Sequence, residues 1–138
     1  VITDLFLGLG MTEILVAYHK YVEKKYNAEA GFITMNMPML LEKLEQAGIQ
    51  NPIICSSINL AGFRMSGGKD AYEKVLKTKK LRAIAMQVLG GGAINPKDAI
   101  EYVCNLPNIE SILFGASSKA NINQTVNYIN DFDKKNAG

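Results

Sequence analysis

Several residue types that carry chemistry are scarce in this sequence. Its 138 residues include no tryptophan, one histidine and two cysteines, Cys55 and Cys104. The cysteines lie in an apolar strand segment and an amphipathic helical segment, so we expect buried, reduced thiols and a cytoplasmic protein. Asp and Glu fall on predicted helices and not at strand ends, so the sequence offers no carboxylate pair, no catalytic residue and no metal site.

Charge and long apolar runs are also limited. The formal net charge is +2, and the lysine-rich stretches 23–26 and 77–80 lie at predicted helix ends, where cations interact favourably with the helix dipole. We therefore expect no nucleic-acid partner. No run approaches the roughly 18 apolar residues of a membrane span, so no membrane partner is expected. The GxGxxG and GxxxxGK[ST] nucleotide-binding motifs are missing from the sequence.

Apolar segments alternate with amphipathic segments along the whole chain. The apolar segments predict strands, and the segments with apolar residues at helical spacing predict helices. The predicted strands cover 31–36, 52–59, 82–89 and 111–114, and the predicted helices cover 12–26, 37–48, 69–78, 96–105 and 119–133. The strands are nearly continuous apolar runs, which is typical of parallel strands covered on both faces.

This alternation predicts a single α/β domain over residues 1–138, with a frayed tail at about 134–138. A (β/α)8 TIM barrel has the same rhythm but needs eight strands, so we predict half of a TIM barrel, a fragment of a longer barrel with about four βα units. The strands should be parallel, in the order 1-2-3-4, with the helices on one side. The alternative is a small doubly wound open sheet, although such sheets usually have more strands.

Two glycine-rich loops follow the third and fourth predicted strands, within 89–95 and 114–121. In a TIM barrel, a phosphate site commonly lies at the last two of these loops, beside a helix N-terminus. Their backbone amides, two hydroxyls and an ammonium group predict an anion site. Its candidate residues are Gly90, Gly91, Gly92, Gly115, Ala116, Ser117, Ser118 and Lys119. The alternative is that both loops are ordinary turns, with Ser118 as a helix cap.

Polar residues lie near the ends of the other predicted strands. Side chains two positions apart point to the same side of a strand, so Cys55, Ser57 and Asn59 should share a face. In a barrel, these ends form the mouth, where substrate binds. We therefore predict Asn36, Ser57, Asn59 and Gln87 as substrate-binding residues, with helix and strand capping as the alternative.

Residues 81–129, "LRAIAMQVLGGGAINPKDAIEYVCNLPNIESILFGASSKANINQTVNYI", carry a resemblance to a known family. A strand that runs into a triple-glycine loop, an "LP-I-S" lead-in to the next strand and a Gly-x-Ser-Ser turn before a helix resemble the C-terminal end of the aldo-keto reductase-like barrels. The resemblance implies that Ser117, Ser118, Lys119 and Asn121 hold the adenosine phosphate of NADP. It further implies hydride transfer from NADPH to a carbonyl in an intact parent protein.

The resemblance also implies that this chain is inactive alone, because the family's catalytic Asp, Tyr, Lys and His belong to the first four barrel units. Two other functions remain open at this point. The chain could be half of a barrel that acts on a phosphorylated metabolite, with a small phosphorylated ligand at the same site. It could also be a non-catalytic half-barrel that self-associates, with its glycine loops serving only as turns.

A half-barrel would leave two strand edges unpaired and one apolar face exposed. Exposed edges and large apolar patches favour association. We therefore expect a homodimer, or association with a missing N-terminal half-barrel, and we expect the apolar stretch 5–11 to cover part of an edge. The inner face should carry apolar side chains such as Ile33, Met35, Ile54, Met86 and Leu113, by whichever strand alternation holds.

Overall fold

The computed structural model describes residues 2–136, with side chains up to residue 132. Its helices are α1 (Ile2–Gly8), α2 (Thr12–Tyr26), α3 (Met37–Gln46), α4 (Lys69–Thr78), α5 (Pro96–Cys104) and α6 (Lys119–Asn136). Its strands are β1 (Gly31–Thr34), β2 (Ile53–Ser57), β3 (Arg82–Met86) and β4 (Ile109–Leu113). None of these helices combines the length and apolar character that a membrane crossing needs.

The boundaries differ from the sequence predictions mainly at strand ends. The first three strands end at Thr34, Ser57 and Met86, before the predicted residues, and β4 begins at Ile109. Helix α1 was not predicted, because its seven residues are too few to establish a helical period. Helix α6 continues to Asn136 through most of the predicted tail, and residues 137 and 138 lie outside the described residues.

The four strands found within residues 2–136 form one parallel sheet in the order β1-β2-β3-β4. This confirms the predicted α/β class, strand direction and strand order. The register aligns Phe32, Ile54 and Ala83 across the first three strands. Between Ala83 and Ile84 the pairing with β4 shifts by one residue, so Ile109 faces Ala83 and Ser111 faces Ile84.

One face of this sheet carries the hydrophobic core. Phe32, Ile54, Ala83 and Ala85 are almost fully buried on it and belong to one apolar cluster. Every helix within residues 2–136 contributes to that cluster, through Leu7, Leu15, Leu40, Leu76, Ile100 and Phe132. The helices therefore pack on one face, as predicted. Ile54, which was expected on the inner face, lies on this covered face instead.

The opposite face, which we call the open face, carries no helix among the described residues. Ile33, Cys55 and Ile84 lie side by side across it, in register. Ile33 is 49% exposed, and Leu113 at the far edge is 57% exposed. The described residues therefore cover one face of the sheet and leave the other open.

The Tyr72 hydroxyl joins three elements at the carboxyl end of β1 and β2. It donates to the carbonyl oxygen of Met35 at 2.8 Å and accepts from the backbone N–H of Met37 at 3.1 Å. It also lies 3.3 Å from Ser56 Oγ, which donates to the Thr34 carbonyl at 2.7 Å. Burial raises the pKa of the Tyr72 hydroxyl, so it stays a neutral donor. Helix α4 is thereby fixed to β2 and to the β1–α3 turn.

Helix α1 is fixed to the same end of β1 by Asp4. The Asp4 carboxylate accepts from Thr34 Oγ1 at 2.5 Å and from the backbone N–H of Met35 at 3.1 and 3.2 Å. Leu7 is buried beside it, whereas Leu5 and Leu9 are exposed. Within the apolar stretch 5–11, Leu7 therefore joins the core, while Leu5 and Leu9 remain exposed.

We predict that Tyr72→Phe lowers the free energy of unfolding by about 1–3 kcal/mol, because it leaves the buried Met37 N–H without its acceptor. The Met35 carbonyl keeps the N–H of Ser66 at 2.9 Å. Urea denaturation followed by circular dichroism measures the change. Tyr128→Phe is the matched control, since the half-buried Tyr128 makes no hydroxyl hydrogen bond within the described residues. Its effect should stay within about 0.5 kcal/mol. Equal effects of both variants would contradict this account of Tyr72.

Candidate functional site

A cleft of about 720 Å³ lies at the carboxyl ends of β3 and β4. Its walls come from the loop after β3, the turn after β4 and the starts of α5 and α6. The residues predicted from sequence that line it are Gln87, Gly91, Gly92, Gly115, Ala116, Ser117 and Asn121. The two glycine-rich segments therefore meet at one site, as their positions after adjacent parallel strands predict.

The three glycines after β3 have different roles. All of them lie in the left-handed region, with φ of 57°, 72° and 90° for Gly90, Gly91 and Gly92, and they form a short 3-10 turn. Gly90 is buried, and a Cβ there would lie 2.8 Å from Ile94 Cδ1. A Cβ at Gly91 or Gly92 would meet nothing within 4 Å. Gly90 therefore maintains the turn, and the other two present open backbone to the cleft.

The turn after β4 prepares the start of α6. Ser118 Oγ accepts from the backbone N–H of Asn121 at 3.2 Å, which is the capping role held open as an alternative. Ser117 Oγ accepts from Asn121 Nδ2 at 3.1 Å. Ser117 and Asn121 line the cleft, whereas Ser118 and the exposed Lys119 lie outside its lining. The first-turn amides of α6 provide hydrogen-bond donors beside the cleft.

The cleft lining contains no charged side chain. Its apolar walls come from Met86, Val88, Leu89, Pro96, Leu113 and Phe114. Its polar groups are amides and hydroxyls, including Gln124 and the nearly buried Thr125 of α6. Neither residue is predicted from the sequence, although both lie three and four positions after Asn121 and so share its helix face. The cleft can accept a ligand with apolar surface and few, well-placed polar groups.

Gln87 is held in an unusual conformation at the end of β3. Its φ of 54° is left-handed, which is uncommon for a residue other than glycine or asparagine and is often found at functional sites. Its Oε1 accepts from Ser57 Oγ at 2.5 Å, and Ser57 is fully buried. Because Ser57 donates to the amide oxygen, the amide nitrogen keeps its N–H donors for a ligand. Ser57 thus orients Gln87 without lining the cleft itself.

Asn36 and Asn59 lie away from the cleft lining and cap local structure. Asn36 Oδ1 accepts from the backbone N–H of Met39 at 3.3 Å, which caps α3. The fully buried Asn59 accepts from the N–H of Phe63 at 2.8 Å and donates to the Phe63 carbonyl at 2.9 Å. Of the four predicted mouth residues, Gln87 is the one that lines the cleft.

Residues that could act as nucleophiles or metal ligands do not gather at the cleft. Burial raises the pKa of the Cys55 thiol, which lowers its thiolate fraction and its reactivity. Cys55 belongs to the open face and not to the cleft lining. Among the described side chains, residues 2–132, no group of three or more His, Cys, Asp or Glu could hold a metal ion.

Comparison with known proteins does not assign the cleft. No protein-family model matches this chain, and no curated protein or solved structure is detectably similar to it. The resemblance of residues 81–129 to aldo-keto reductase-like barrels therefore stays a prediction.

We predict that Gly90→Ala destabilises the protein by at least about 1 kcal/mol more than Gly91→Ala, because only the Gly90 Cβ has to displace Ile94. Both changes share the cost of a left-handed backbone, about 1–2 kcal/mol. Urea denaturation of the two variants, compared at the same pH, gives the difference. If Gly91→Ala lowered the free energy of unfolding more than Gly90→Ala, Gly90 would not be the glycine that the turn requires.

Proposed function

We propose that this chain is the C-terminal half of a (β/α)8 barrel that resembles the aldo-keto reductases, and that the cleft binds NADP. The observation that carries the proposal is the position of the cleft. It lies at the carboxyl ends of β3 and β4, the last two strands, and two glycine-rich segments line it. This is the place where TIM barrels commonly bind phosphate groups.

The one-sided sheet supports the barrel architecture over a doubly wound sheet. A doubly wound sheet has helices on both faces, whereas the described helices share one core on one face. The open face presents Ile33, Cys55 and Ile84 in register, as the inward-facing side chains of a barrel would lie. Arg82, at the amino end of β3, shares this face. Its charge is compensated by ion pairs with Glu29 at 2.6 Å and with Glu110 at 3.1 Å.

The chemistry of the cleft supports a nucleotide more than a small polyanion. A volume of about 720 Å³ falls in the usual range for small-molecule sites, roughly 300–1,000 Å³. The uncharged walls suit the rings of a nucleotide. The phosphate would lie at the rim, near the first-turn amides of α6, the Ser117 hydroxyl and the ammonium group of the exposed Lys119. Gln87 supplies amide N–H donors deeper in the cleft.

The cleft of this chain would bind its ligand without catalysing a reaction. The described side chains bring no acid, base or metal cluster to the cleft, and the catalytic residues would belong to the other half of the barrel. In an intact barrel, bound NADPH would supply the hydride for reduction of a carbonyl. This chain's contribution would be to bind and orient the cofactor through the β3 and β4 loops.

We predict saturable binding of NADP+ by the 138-residue chain, measured by isothermal titration calorimetry. Gly115→Val should weaken binding about tenfold, or 1.4 kcal/mol. Gly115 lines the cleft, and a Cβ there would meet no protein atom within 4 Å, so the new side chain would occupy ligand space. Gly8→Val is the matched control, since Gly8 also has free space around its Cβ position but lies in α1. It should bind like the parent chain.

Each other outcome of the titration decides between the alternatives. If inorganic phosphate binds with the same sensitivity to Gly115→Val and NADP+ binds no better, the site serves a phosphorylated metabolite. If neither ligand binds, the two loops are only turns and the proposal is wrong. Binding of NADP+ that Gly115→Val leaves unchanged would place the ligand outside the cleft and would also overturn the proposal.

A further inference from the structure

The helix layer of this protein is wider than its sheet. Within residues 2–136, five helices of nine or more residues, α2 to α6, accompany four strands. Neighbours in the chain pack together: α2 against α3, α3 against α4, and α5 against α6. The Tyr102 hydroxyl of α5 also donates to Glu73 of α4 at 3.0 Å. Because α3, α4 and α5 connect adjacent strands, α2 and α6 are the two outermost helices.

Helix α2 lies at the outer edge of β1. The Tyr18 hydroxyl donates to the Gly31 carbonyl at 3.3 Å, and the Tyr18 ring packs edge-on against Phe32 at 5.6 Å. In the described sheet, β1 pairs with β2 alone, so its other edge is open. Helix α2 precedes β1 as α3 precedes β2, which is the position of a crossover helix between parallel strands. The strand that this crossover would start from is not among the described elements.

Nine of the thirteen exposed large apolar side chains among the described residues lie at the two sides of the sheet or on its open face. On the β1 side they are Ile2, Leu5, Leu9, Tyr18 and Tyr21, on the open face Ile33 and Leu113, and on α6 Ile122 and Val126. Exposed apolar surface of this kind often marks an interaction site. It fits a partner that adds strands at both edges and covers the face between them.

A second copy of this chain fits that surface poorly. Closing two copies into one ring would place β1 of one copy beside β4 of the other. Each seam would then receive both α6 of one copy and α2 of the other. An eight-stranded barrel has one helix for each pair of neighbouring strands, and five long helices from each copy exceed the space.

We propose that the β1 edge and the open face are covered by a βα segment that precedes α1 in the same polypeptide, and that α1–α2 is the crossover from its last strand to β1. Such a segment needs only strands and the helices between them. It needs no helix at its junctions with β1 and β4, because α2 and α6 already lie there. The inference deepens the barrel part of the proposed function, on which it rests, and it does not depend on the ligand of the cleft.

The test compares the complete product of the gene with the 138-residue chain by maleimide labelling, in a Cys55→Ser, Cys104→Ser background. Ile33→Cys places the label on the open face, where Ile33 is 49% exposed. Met39→Cys, on α3 at 37% exposure, is the matched control. In the complete product we expect Ile33→Cys to react about tenfold or more slowly than in the short chain, since reaction then requires local opening, and Met39→Cys to react equally in both.

Three results would overturn this inference. The first is a complete gene product without further strand-forming sequence ahead of α1. The second is equal labelling of Ile33→Cys in the complete product and in the short chain. The third is a stable dimer of the short chain that protects Ile33→Cys, which would assign the face to a second copy. None of them bears on NADP+ binding, so failure here and failure of the ligand proposal can be told apart.

Discussion

The handedness of the strand connections determines the layout of this protein. Parallel strands that follow each other in chain order, with right-handed crossovers, place every connecting helix on the same side of the sheet. The core therefore forms on that side alone, around Phe32, Ile54 and Ala83. The same constraint brings all loops that follow strands to one edge of the sheet, and it leaves the opposite face without helices among the described residues.

That common edge is closed at one end and open at the other. At the carboxyl ends of β1 and β2, side chains form hydrogen bonds with the backbone at the end of β1 and in the β1–α3 turn; they are Asp4, Tyr72 and Ser56. In the loop after β2, Asn59 binds the backbone of Phe63. At the carboxyl ends of β3 and β4, glycines stand where the other loops have hydrogen-bonding side chains, and a cleft remains. The position of the cleft follows from this difference, because a loop without side chains leaves room where a hydrogen-bonded network would fill it.

The sequence predicted much of this layout, because apolar runs and helical periods are local signals. Strand order, parallel pairing and the meeting of the two glycine-rich segments follow from them. Long-range contacts could not be predicted in the same way. Helix α1 is recognisable through the contact of Asp4 with Thr34 and Met35, which no local pattern contains. The face taken by Ile54 depends on register, and a shift of one residue exchanges the two faces.

Asparagines show a second limit of sequence analysis. Asn36 and Asn59 stand near strand ends, where ligand-binding residues of barrels also lie, but their side chains bind nearby backbone groups. An asparagine amide can cap local backbone or bind a ligand, and only its position in the structure distinguishes the two roles. Asn121 differs, because it lines the cleft while it donates to Ser117. Two glycines of one loop can likewise differ in role. Only at Gly90 would a Cβ collide with Ile94, and this contact cannot be read from the sequence.

The cleft and the open face share a wall, which links the two proposals physically. Leu113 lines the cleft and also belongs to the open face, where it lies opposite Met86. A segment that covers the open face would bury Leu113 from one side and thereby deepen the apolar part of the cleft. A ligand that contacts this wall would then bind more tightly to the covered protein. By thermodynamic linkage it would stabilise the covered state by the same free energy.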